Sequence, residues 1–217
     1  MMRYVLVLTL ALAGAACDVE SDNDRVNGSV NVAAGQPVQD ASTVNGAISV
    51  AEGAAIKDAE TVNGRITIGD NATANSAQTV NGSITIGSNT RVAGDVECVN
   101  GSITLQKGAD VGGKLENVNG RFELNGAHVA GGIRTVMGDI EVGADSRVEG
   151  GITIERSKGF SISFKKSVPR IVIGPGATVQ GPMKFEREVQ LYVSDSATIG
   201  EVIGATPIKF AGDRPPA

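Results

Sequence analysis

Aromatic residues are scarce in this chain: they make up 3% of its 217 residues, and there is no Trp. A wide globular core leans on such rings for volume, so whatever interior forms here is narrow. His128 is the only histidine. Two cysteines, Cys17 and Cys98, cannot build a disulfide framework, and stability must come from the fold itself. After the first residues no segment approaches 18 consecutive apolar residues, so no later transmembrane helix is expected. A net charge of −5 and a pI of about 5.0 speak against a nucleic-acid partner.

The chain opens with a short positive segment, Met1 to Arg3, followed by an apolar run of ten, Tyr4 to Ala13. Ten helical residues rise about 15 Å, half of a hydrocarbon core, so this run reads as a removable export signal over residues 1–16. Gly14-Ala15-Ala16-Cys17 resembles a bacterial lipobox. That resemblance implies lipidation of Cys17, although Gly14 stands where Leu is the commoner choice. The alternative is ordinary cleavage at Ala13-Gly14-Ala15, leaving Cys17 as a free thiol. The polar, acidic residues 17–25 are expected to be a flexible tether. Together these features predict an exported, lipid-anchored protein of the periplasm, outer membrane or cell surface. The membrane would be its partner through the anchor.

What the chain has in abundance is repetition. Val-Asn-Gly occurs at 26–28, 44–46, 62–64, 80–82, 99–101 and 118–120, and Val136-Met137-Gly138 continues the series. The spacing is 18 or 19 residues throughout. A fixed period of this length marks a solenoid. In the coil that begins at Val80, three short pieces alternate apolar and polar residues: Ile84-Thr85-Ile86, Thr90-Arg91-Val92 and Val96-Glu97-Cys98-Val99. Alternation with period 2 is the mark of a strand. Between the pieces lie Asn81-Gly82-Ser83, Gly87-Ser88-Asn89 and Ala93-Gly94-Asp95, residues that accept tight corners.

The fold expected is therefore all-β, a single-stranded parallel β-helix of about ten triangular coils, roughly 45 Å long at the interstrand spacing. Val44, Val62 and Val80 should stand above one another, with branched aliphatics pointing at the axis. In the 19-residue coils the extra residue is expected at Cys98 and Asn117, absorbed as a bulge. Asn27, Asn45, Asn63, Asn81, Asn100 and Asn119 should form a structural asparagine ladder. Bulky Ile48, Ile66, Ile84, Ile103 and Phe122, with the 19-residue coils, favour a right-handed helix over a left-handed hexapeptide one.

Residues 26–155 carry the regular repeat. It breaks at a basic insertion, 156–170, resumes over 171–206, and ends in a cap and tail, 207–217, with Ile208-Lys209-Phe210 as the capping segment. Charge shifts at the same place: residues 18–155 hold 19 acidic and 9 basic side chains, residues 156–217 hold 5 and 9. Arg156, Lys158, Lys165, Lys166 and Arg170 include no acid among them and form either a solvated loop or a docking patch for an anionic partner.

Catalytic chemistry finds little support. His128, at a coil corner, could serve as the single general base of a hexapeptide acyltransferase. Such enzymes act on coenzyme-linked donors that the envelope lacks. Polysaccharide-acting β-helices build groove walls from long loops, and these coils are almost loop-free. No Ser/His/Asp set, metal-ligand spacing or phosphate loop is evident, so no catalytic residue, cofactor or metal is expected. The acidic residues read as scattered, solubilising positions, and Cys98 as a small packed residue.

The coil pattern, Gly-x-Ile-x-Ile/Val followed by Gly/Asn, a small residue and Val-x-Gly, resembles two bacterial groups. One is the secreted β-strand-repeat family classed with adhesins. The other is the bactofilins, cytoskeletal proteins whose β-helices assemble end to end. The likeness covers residues 26–154 and, less closely, 171–200. It implies an adhesive or scaffolding envelope role with protein or glycan contacts, or a self-associating polymer. The export signal and the basic insertion depart from the bactofilin pattern.

Overall fold

The computed structural model describes residues 24–37, 39–156 and 168–216. Their secondary structure is strand without helix, wound into a parallel β-solenoid of about nine turns. Face A runs from Asp24–Asn27 to Val202–Ile203 and face B from Val30–Val32 to Ile208–Phe210, each ten strands deep. Face C stacks seven two-residue strands, from Thr73–Ala74 to Thr198–Ile199. Leu115–Leu124 passes through the A–B corner unbroken and serves both faces.

Alternation along each strand builds the core. Face B turns Ile48 and Val50, Ile66 and Ile68, Ile84 and Ile86, and Ile103 and Leu105 inward, all buried. Face C contributes a small residue followed by a branched one, as in Ala109 and Val111, Ala127 and Val129, or Ala177 and Val179. On face A the inward side chains grow along the axis, from Ala41, Ala59 and Ala77 to Val96, Leu115, Ile133, Ile152 and Met183. A core three side chains across has no room for Trp, which accounts for the composition.

Each corner has its own chemistry. At the A–B corner the glycine of Val-Asn-Gly is dictated by the coil below: a Cβ on Gly64, Gly82 or Gly101 would overlap the carbonyl oxygen of the preceding coil's glycine. At the B–C corner the requirement is a positive φ, met by Gly53 (66°), Asn71 (56°), Asn89 (54°), Gly108 (76°) and Asp145 (57°). Asn and Asp tolerate that region better than other L-residues, so the corner accepts them.

Three expectations need revision. Cys98 pairs in register with Thr79 and Asn117 with Cys98, so neither is an inserted residue. The extra residue sits at the C–A corner, where Ala93-Gly94-Asp95 replaces the two-residue link Asn75-Ser76. An insertion inside the strand would have turned the side chains beyond it to the opposite face, and a corner avoids this. Second, Val44, Val62 and Val80 do stack, but their side chains point outward and are half-buried; Val26 is 58% exposed. Third, among the described residues the first strand starts at Asp24, with Asp24 and Arg25 paired to Ser42 and Thr43. Ile208–Phe210 lies against Tyr192–Ser194 as the last strand of face B.

Candidate functional site

The asparagine ladder is built by register alone: one Asn per coil at the end of each of the first five face-A strands. Asn45 Nδ2 donates to Asn27 Oδ1, Asn63 to Asn45 and Asn81 to Asn63, each at 3.0 Å, and Asn100 to Asn81 at 3.2 Å. Asn119 continues the column in register with Asn100. Beside it runs the outward valine column, exposed at Val26 and Val118, and Met137 takes the ladder position after Asn119. The A–B corner thus presents an amide row and an apolar row side by side.

Two columns next to it escaped the sequence reading. The first is buried: Thr43, Thr61 and Thr79 donate their hydroxyls to the carbonyls of Gly28, Gly46 and Gly64 at 3.0–3.2 Å. Cys98 takes the next position, with Sγ 3.2 Å from the Gly82 carbonyl. Asn117 and Thr135 follow, with the Thr135 hydroxyl donating to Asn117 Oδ1 at 2.5 Å. Burial pushes the Cys98 thiol up to about 11.

The second column lies on the outer surface of face A: Asp24, Ser42, Glu60, Gln78, Glu97, Glu116, then Arg134, Thr153 and Lys184. Its acids are gathered, not scattered. Desolvation, then Asp58, Asp40 and Asp24, raise the Glu60 carboxyl above its ordinary range. Desolvation, then Glu116 and Asp95, raise Glu97, opposed by Lys114. The column then reverses sign at Arg134, which lies 3.5 Å from Glu116 and 3.6 Å from Glu155. The signal was available in the sequence: Glu60, Gln78, Glu97 and Glu116 recur at the coil period.

His128 sits on face C in a chain of charges. Its Nδ1 lies 2.6 Å from Asp110 Oδ1, and its Nε2 is 3.4 Å from Glu149 Oε1. Arg91 pairs with Asp110 at 3.0 Å and Arg147 with Glu149 at 3.1 Å. Hydrogen bonding from Arg147, then His128, lowers the Glu149 carboxyl. His128 Nε2 is shut away from solvent, so neither ring nitrogen faces a space where a substrate could sit.

Of the basic insertion, Lys158, Lys165 and Lys166 fall outside the described residues, as does Cys17. Arg156 follows the face-A strand Ile152–Ile154, and its backbone N–H donates to Glu186 Oε2 at 3.1 Å. Arg170 opens the face-B strand Arg170–Ile173, with its guanidinium 5.0 Å over the Tyr192 ring and 3.3 Å from the Pro216 carbonyl. The insertion therefore leaves and re-enters at the A–B corner, the same edge that carries the ladder.

A shallow, open cleft of about 50 Å³ at the C–A corner is lined by Lys114, Gly131, Gly132, Arg134, Gly151 and Thr153, well short of the usual size of a small-molecule site. Among the described residues no group of three or more His, Cys, Asp or Glu could hold a metal ion, and no helix is long and apolar enough to cross a membrane. Compared with protein-family models, curated proteins and solved structures, the chain matches none. What the arrangement offers chemically is extended surface: three flat faces, each with a regular outward column.

Proposed function

We propose that this chain is a non-catalytic lipoprotein of the cell envelope with an adhesive or scaffolding role, using its β-faces for protein or glycan contacts. The observation that carries this reading is the character of the surface. Outward side chains recur coil after coil, and face A changes from acidic to basic along its length. Such a surface suits an elongated partner better than a small substrate. With Nδ1 held by Asp110 and Nε2 shut away from solvent, His128 supports a non-catalytic reading. The resemblance to secreted adhesin-type repeats points the same way, and the lipobox-like Gly14-Ala15-Ala16-Cys17 supports an anchor at Cys17.

Mass spectrometry of the mature N-terminus tests the anchor: a diacylated Cys17 is expected, and an unmodified terminus upstream of it would remove the lipoprotein assignment. A glycan array on the soluble chain tests the contact role. Binding that disappears on combining Lys165→Glu with Lys166→Glu would place the partner at the basic insertion.

A second reading is an end-to-end polymer, as the bactofilin likeness suggests. It is favoured by the ends of the solenoid. Among the described residues, Asp24–Asn27 and Ile208–Phe210 each pair with a strand on one side only, and such edges invite a further strand. Light scattering separates the two: concentration-dependent growth supports the polymer, and a monomer at high concentration removes it.

A further inference from the structure

Seven Asn-Gly dipeptides occur in the chain; six supply the ladder, and the seventh is Asn125-Gly126. Asn-Gly is chemically fragile, because glycine lacks the Cβ that would hinder attack on the neighbouring side chain. The glycine nitrogen loses its proton and attacks the Asn Cγ, ammonia departs, and a succinimide ring closes. Water then opens the ring to Asp or to isoaspartate. The reaction is slowed wherever backbone hydrogen bonding holds the glycine N–H in place or the Asn side chain cannot swing onto it.

The ladder imposes both constraints. The N–H groups of Gly28, Gly46, Gly64, Gly82 and Gly101 donate to the Asn carbonyl of the next coil at 3.0–3.1 Å. The side-chain amides from Asn27 to Asn100 are tied to one another, and extended strand backbone directs the glycine nitrogen away from Cγ. Asn119 lies within strand Leu115–Leu124. Asn125 differs: it follows that strand at the B–C corner, and among the described residues its side chain makes no hydrogen bond. The Gly126 N–H is held by a single side-chain hydroxyl, Ser146 Oγ, at 3.0 Å. That hydroxyl also accepts from the Ala127 N–H at 3.3 Å.

We infer that Asn125 is the site of spontaneous deamidation in the folded chain, and that coil stacking keeps the six ladder asparagines as amides. The inference is independent of the adhesive reading. For an envelope protein that is not resynthesised after export, such a ladder would be durable as long as the coils stay stacked. Isoaspartate at 125 would add a methylene to the backbone at a corner that has three residues between Leu124 and His128, where the coil before has four between Leu105 and Asp110.

The test is to incubate the full chain in mildly alkaline buffer, folded and in urea, and to follow each Asn-Gly by peptide mapping for Asp and isoaspartate. In urea all seven should convert at similar rates. In the folded chain Asn125 should convert first, with Asn45, Asn63 and Asn81 at least about tenfold slower than in urea, because they react only through local opening. Ladder rungs that convert as fast folded as unfolded, or an Asn125 that lags behind them, would overturn the inference.

Discussion

Gly82 and Gly53 occupy corners of the same solenoid for different reasons. At Gly82 the obstacle is the Gly64 carbonyl of the coil below, while around Gly53 nothing lies within 4 Å and only its φ of 66° matters. Gly82→Ala should therefore destabilise by about 3 kcal/mol or more, since backbone must move to admit the methyl. Gly53→Asn should lower stability by less than about 1 kcal/mol, because Asn71 and Asn89 already adopt that conformation at equivalent corners. Urea titration of both variants measures the contrast. Cys98 offers a second test at this scale. Its buried thiol should resist alkylation in the folded chain and react once unfolded. With its pKa raised from 9.0 to about 11, the neutral thiol favours the fold; that contribution is intact below pH 9 and lost as pH rises toward 11. Cys98→Thr, which restores the hydroxyl of the column, should fold normally and flatten that alkaline loss.

Among the elements, face A carries a tension that the other faces lack. Glu60 and Glu97 both have raised carboxyl pKa values, so protonation suits the folded state. The sign is that of a raised acid: the favourable contribution is present below pH 4.5 and is lost as pH rises through the folded value. Glu60→Gln combined with Glu97→Gln should raise Tm by about 2 °C at pH 7 and by less at pH 4, as read by thermal melts. The period, the three sides and the asparagine ladder were legible in the sequence because Val-Asn-Gly marks each coil. The acidic column recurs at the same period but was overlooked, because its gathering on one face depends on a register that the motif alone leaves open. The nineteenth residue was misplaced for a related reason. A gap at Cys98 or at Gly94 aligns the sequence equally well, and only the in-out alternation of strand Val96–Asn100 decides between them. The valines misled in another way: they are apolar and periodic, yet lie outside the core.

For the whole molecule, each coil touches only its neighbours, so stability accumulates along one dimension and the terminal coils are its weakest part. The same geometry makes the surface regular, and the proposed contact role depends on that regularity. One distance tests it. Asn31 and Glu141 are outward residues of face B, linked in register through Ser49, Thr67, Thr85, Thr104 and Glu123. Spin labels at Asn31→Cys and Glu141→Cys, with Cys17→Ser and the buried Cys98 left in place, can be measured by pulsed electron resonance. Six coil spacings predict a single narrow distance of about 29 Å. A broad distribution, or a separation far from that value, would mean that the coils are not stacked in this register, and the faces proposed for binding would not exist.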